Sequence, residues 1–143
     1  MLKKSISSII FSMVTILGLT SCVANKNLQI VDQTLEGTKW QLVSLHQKEI
    51  TRVDKVATIN FEQYRVVGNL GCNNFFGKYE VKSNSLTISQ VGSTMMMCRD
   101  MSVENEYSKV LIDTKMYKII ENSLIFYNNS NVEIAKFTIL NAN

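Results

Sequence analysis

Cys72, Cys98, His46 and the run Met95-Met96-Met97 are the residues of this 143-residue chain whose types and spacing could do chemistry. Thiolate and thioether ligands suit Cu(I), and a thiol beside an imidazole base can act as a nucleophile. On an extended strand, however, successive side chains point to opposite faces, so Met96 faces away from Met95 and Met97 and at most two can share a site. Methionine also fills irregular gaps, and the competing reading packs some of this run beneath a helix. Zinc fares worse, because two thiols and one distant histidine supply neither a Cys-x-x-Cys pair nor His-Glu-x-x-His. A Cys72 nucleophile with His46 as base lacks an orienting third group, and His46 lies in a polar segment, His46-Gln47-Lys48-Glu49, typical of an exposed loop. Glu104 and Glu106 are two apart on a predicted helix and point in different directions, each explained as a charge near the positive helix end. Gly68-Asn69-Leu70-Gly71 lacks the phosphate-loop pattern and its lysine. No catalytic residue, metal or cofactor is assigned, and the chain is read as non-enzymatic.

The third cysteine belongs to a different feature. Met1-Leu2-Lys3-Lys4 leads into the mostly apolar run Ile9 to Leu19 and then Leu19-Thr20-Ser21-Cys22, a basic n-region and an h-region too short to span a bilayer comfortably. The last four residues resemble the bacterial lipobox, Leu-[Ala/Ser/Thr]-[Gly/Ala/Ser]-Cys. That resemblance implies cleavage before Cys22, a diacylglycerol thioether on its sulfur and a fatty acyl group such as palmitate on its new amine. Several chains give stable anchoring, since each buried CH₂ contributes about 0.8 kcal/mol. A soluble secreted chain with Cys22 incidental is the alternative. Val23 replaces the aspartate that retains enteric lipoproteins in the inner membrane, which favours the outer membrane, facing the periplasm, if the organism has one.

Residues 1–21 are thus read as a signal peptide, 22–33 as the acylated cysteine and a polar tether, and 34–143 as one domain, near the modal domain size. Without Lys3 and Lys4, the 15 basic residues fall to 13 against 12 acidic ones. The domain is nearly neutral, so nucleic acid is excluded as a partner on electrostatic grounds. With Cys22 acylated, Cys72 and Cys98 remain in a compartment where disulfides persist. Joining them closes a loop of about 27 residues, worth about 3.5 kcal/mol in the chain-entropy relation. Reduced or redox-active thiols are the alternative.

The elements that must position these residues are mostly strands. Thr38–Leu45, Ala57–Phe61, Tyr64–Asn69, Gly77–Val81, Leu86–Val91, Tyr117–Ile120, Ser123–Tyr127 and Val132–Leu140 have strand-like composition. Trp40 with Leu42, Ile59 with Phe61, and Tyr79 with Val81 form period-two pairs, and Glu121-Asn122 reads as a tight hairpin turn. One helix is predicted over 102–113, with Val103, Tyr107, Val110 and Leu111 on its apolar face and Ser102 or Asp100 as N-cap. About eight short strands without a single proline favour a closed, compact antiparallel β-barrel. In the stretch Gly71-Cys72-Asn73-Asn74-Phe75-Phe76-Gly77, both glycines suit tight turns, both asparagines tolerate left-handed backbone, and Phe75 or Phe76 can plug a barrel end.

Three motifs carry a family resemblance. Gly37-Thr38-x-Trp40-x-Leu42, then Gly68-x-x-Gly71-Cys72-Asn73-x-Phe75-x-Gly77-x-Tyr79, then Thr94-x-Met96-x-Cys98 resemble, in that order, the motifs of the META domain found in HslJ-like heat-shock lipoproteins. The resemblance spans about Leu35 to Leu140. Met97 departs from it, many members having a smaller residue there. The resemblance implies a barrel of lipocalin-like outline with one helix after the second cysteine. It also implies an envelope protein associated with stress or antibiotic tolerance, and no enzymatic reaction. The expectation is therefore a monomeric, lipid-anchored structural or interaction module, with the membrane and an envelope protein as partners. Two alternatives are a barrel holding a small apolar ligand, which an interior filled by Trp40, Ile59, Phe61 and Tyr79 would exclude, and a periplasmic soft-metal or redox protein.

Overall fold

A strand that alternates apolar and polar residues has one apolar face, and a sheet of such strands buries it by curving around it. The computed structural model describes residues 34–51 and 53–140; the signal segment, Cys22 and the tether fall outside the described residues. In chain order the elements are β1 (Lys39–Leu45), β2 (Lys48–Glu49), β3 (Thr58–Glu62), β4 (Arg65–Asn69), β5 (Asn74–Lys82), β6 (Ser85–Ser93), α1 (Ser102–Asp113), β7 (Met116–Ile120), β8 (Ser123–Tyr127) and β9 (Glu133–Ile139). They form one antiparallel sheet in which β9 returns to pair with β1, Trp40 opposite Ile139 and Leu42 opposite Phe137. The sheet closes in a ring, and the expected mainly β architecture with one helix is found.

Most strand ends lie within two residues of the sequence reading, and the larger departures are an added strand and an earlier start to β5. β2 is a two-residue return arm on β1, reached through His46 and Gln47 at φ 47° and 63°, as a type I′ hairpin turn requires. It is too short to show any periodicity. β5 starts at Asn74 rather than Gly77 and outlasts the ring, which leaves Val81 39% exposed instead of inward beside Tyr79. The Glu121-Asn122 turn is present between paired Ile120 and Ser123.

The weakest seam lies between β6 and β7, which share one pair, Ser85 with Met116. Helix α1 occupies the connection across this seam and packs on β6 and β1. Its buried residues are Glu104, Tyr107, Val110 and Leu111, while Val103 is only partly buried. Neither Ser102 nor Asp100 is the N-cap residue, a position held by Met101; Asp100 instead accepts the Ser102 N–H at 2.9 Å from two residues back. The far end is closed by buried Thr114, whose N–H and hydroxyl both bond to the Val110 carbonyl, at 3.0 and 2.7 Å.

The interior is filled by side chains. Trp40, Phe61, Phe126, Phe137 and Tyr107 are all at or below 1% exposure, and Phe61 meets Tyr79 edge-on at 5.1 Å. Phe75 and Phe137 flank the Tyr107 ring at 6.0 and 5.9 Å. Side chains packed in this way among the described residues argue against a barrel that carries an apolar ligand in its interior.

Burial pushes the Tyr107 hydroxyl well above its ordinary value of 10.0. The folded state holds this proton more tightly than the unfolded chain. Its contribution is thus fully present below about pH 10 and is lost as pH rises beyond it. Tyr107→Phe should retain more stability than the parent above pH 10, read as the urea midpoint against pH. Near neutrality the change should be small, because the hydroxyl's bond to the Thr58 carbonyl is long, at 3.4 Å. Parallel alkaline decline in both proteins would assign the effect elsewhere.

Candidate functional site

Asn69 ends β4 and its side-chain oxygen accepts the Gly71 N–H at 2.8 Å, an Asx turn that reverses the chain. Gly71 completes the reversal at φ +112°, a left-handed conformation that disfavours other residues, and an added Cβ would sit 3.2 Å from Val53. The turn directs Cys72 and Asn73 inward, to 0% and 1% exposure. Cys72 is bonded to Cys98, with Cα atoms 6.1 Å apart, inside the range a disulfide can bridge. No thiol remains at either position for catalysis or metal binding.

Asn73 is the centre of the corner. Its backbone N–H and its side-chain amide donate to the two carboxylate oxygens of Glu104, each at 2.8 Å. The same amide donates to the Met96 carbonyl at 2.9 Å. Its oxygen accepts from the Thr94 hydroxyl and the Met96 N–H, each at 2.7 Å. One side chain thus ties the β4–β5 loop to the segment before the helix and to the helix itself. Neither asparagine of the loop uses its tolerance of positive φ, since Gly71 alone supplies it there.

Glu104 departs most from the sequence reading. It is 7% exposed and serves as a buried acceptor, not merely as a first-turn charge. A signal was present: Glu104 shares the helix face of Tyr107 and Leu111, and a carboxylate on an apolar stripe demands a buried partner. Glu106 is exposed and lies 3.5 Å from the ring nitrogen of exposed His46.

The methionine run does not fill gaps beneath α1. Met95 and Met97 are 98% and 95% exposed and Met96 is 45% exposed, because the backbone of this segment, not its side chains, is held by Asn73. The larger residue at Met97 therefore meets no packing limit. Among the described residues, no group of three His, Cys, Asp or Glu side chains is placed to hold a metal ion.

The other motif residues have structural roles. Gly37, at φ +81°, precedes Thr38, whose hydroxyl donates to the Leu35 carbonyl and accepts the Trp40 indole N–H at 2.7 Å. Phe75 points into the core and Phe76 points outward, its ring lying across Gly92. Gly77 is not in a turn. It sits within β5 where the register shifts, and an added Cβ would lie 3.1 Å from the Ser89 carbonyl.

At the other end of β5 a second feature appears that the sequence did not reveal. An open cleft of ≈ 570 Å³ is lined by residues including Leu35, Glu36, Tyr64, Tyr79, Lys82 and Tyr117. These residues come from separate parts of the chain, so no local spacing announces them.

The comparisons with known proteins agree with this architecture. The META domain family matches residues 33–139. Heat shock protein HslJ of Escherichia coli (strain K12) is 23% identical over 109 residues, covering 74% of this chain and 78% of that protein. A protein from Burkholderia xenovorans solved by NMR superposes with a TM-score of 0.63 at 19% identity, covering 76% of this chain and 85% of that one. A DUF4847 family protein from Bacteroides vulgatus gives a TM-score of 0.56 at 13% identity, covering 76% of this chain and 96% of that one. At such identities the solved structures establish the fold alone. With the family match running from the tether boundary through β9, and with its cysteine and asparagine motifs joined in one corner, this chain belongs to the META domain family.

Proposed function

We propose that this protein is a lipid-anchored cell-envelope protein, and that its META domain acts as a monomeric, non-enzymatic structural or interaction module in envelope stress or antibiotic tolerance. The observation that carries this reading is how the motif uses its polar groups. Asn73 and Glu104 bond to each other and to backbone, and Cys72 and Cys98 bond to each other. The corner turns these polar and thiol groups onto one another and displays Met95 and Met97. The anchor rests on Leu19-Thr20-Ser21-Cys22, the stress role on the likeness to a heat shock protein.

Full-length protein and its Cys22→Ser variant, expressed in the source bacterium lacking its own copy, test this. The parent should fractionate with membranes and restore tolerance to heat or antibiotic challenge. Cys22→Ser should be released to the soluble fraction with tolerance reduced. Retention of the variant in membranes would overturn the anchor, and turnover by the purified protein that one polar substitution abolishes would overturn the non-enzymatic reading.

A further inference from the structure

The cleft at the far end of β5 has walls of a particular chemistry. Tyr79 forms its floor at 9% exposure, Tyr64 stands at its rim at 73%, and Tyr117 flanks them. Glu36 adds a carboxylate whose charge reaches Tyr79, while Glu80 and Lys82 line the cleft from exposed β5 positions that alternate with Tyr79. The Tyr79 hydroxyl is raised above its ordinary value first by burial, then by the charge of Glu36 and by Tyr117 and Tyr64, so these groups converge around it. Aromatic faces carry partial negative charge and attract cations, and a carboxylate beside them strengthens that attraction. The volume lies within the range of small-molecule sites, about 300–1,000 Å³.

Tyr64 stands in the β3–β4 turn at the rim of the cleft. It adopts φ 57° in the two-residue turn between paired Glu62 and Arg65, a position where glycine or asparagine is favoured. A bulky aromatic at such a backbone angle is a local cost to the turn. Its ring is presented to the cleft.

We propose that this cleft binds an organic cation with an apolar body, of the alkyl- or arylammonium class, its charge held among the Tyr64, Tyr79 and Tyr117 rings and Glu36. This goes beyond the envelope-module reading and stands or falls separately, since loss of cation binding changes neither anchoring nor the effect of Cys22→Ser.

Calorimetric titration of the full-length protein with benzyltrimethylammonium, and with its uncharged carbon isostere, tests the proposal. The cation should bind saturably and about tenfold more tightly than the isostere, a gap within the range of cation–aromatic attraction. Glu36→Gln should weaken binding, whereas Lys82→Gln should strengthen it by removing a like charge. Tyr64→Asn should weaken binding while raising the thermal midpoint, a pairing that a purely structural role for Tyr64 does not produce. Absence of saturation, equal binding of the isostere, or weaker binding by Lys82→Gln would each overturn the proposal.

Discussion

Asn73→Ala is expected to lower the unfolding free energy by about 3–5 kcal/mol, because several buried polar groups lose their partner at about 1–3 kcal/mol each. The substitution removes the amide that donates to Glu104 and Met96 and the oxygen that accepts from Thr94 and Met96. The Glu104 carboxylate would stay buried with only the backbone N–H of residue 73 beside it. Each buried polar group left without a partner costs about 1–3 kcal/mol, and the corner has no room for several waters to replace a side chain at 1% exposure. Asn73→Asp should be at least as damaging, since it sets an acceptor against the Glu104 and Met96 oxygens. The measurement is the urea midpoint at constant m-value. A loss below about 1 kcal/mol would show that the corner relaxes without its central amide.

The second large effect is the disulfide. Replacing both Cys72 and Cys98 by alanine should remove about 3.5 kcal/mol through the restored freedom of the unfolded chain. For a domain of this size that is a fall in thermal midpoint of about 15–25 °C, readable by calorimetry. The disulfide and Asn73 hold the same two segments together, so their effects should not add. In the cysteine-free background Asn73→Ala should cost less, because the segment from Thr94 to Cys98 is already looser, with a coupling of about 0.5–3 kcal/mol. Strict additivity would mean that the covalent and hydrogen-bonded ties act on separate parts of the structure.

Much of the ring was legible in the sequence because strand alternation is a local property. Trp40, Leu42, Ile59, Phe61, Leu86, Ile88 and Phe137 all point inward as their spacing predicts. What misled was composition at short range. The glycine and asparagine of Asn74-Phe75-Phe76-Gly77 read as loop, whereas cross-strand pairing of Phe75 with Gly68 and Ser93 makes them strand. The methionines read as gap-fillers because their apolar character is local, while their exposure follows from how Asn73 holds the backbone on either side of Met96. Glu104 read as a helix-end charge because its partner lies 31 residues earlier.

By itself, then, the sequence determined the strand and helix periods, the pair of cysteines available to each other and the motifs of the family, each of which rests on residue type and near spacing. The tertiary structure alone decided that Asn73 and Glu104 satisfy one another, that Met95 and Met97 face solvent, and that three tyrosines meet Glu36 in a cleft. The physical reason is common to all three. Periodicity is written along the chain, but the partner of a buried polar group and the company of an exposed one are fixed only when ring closure brings distant segments together.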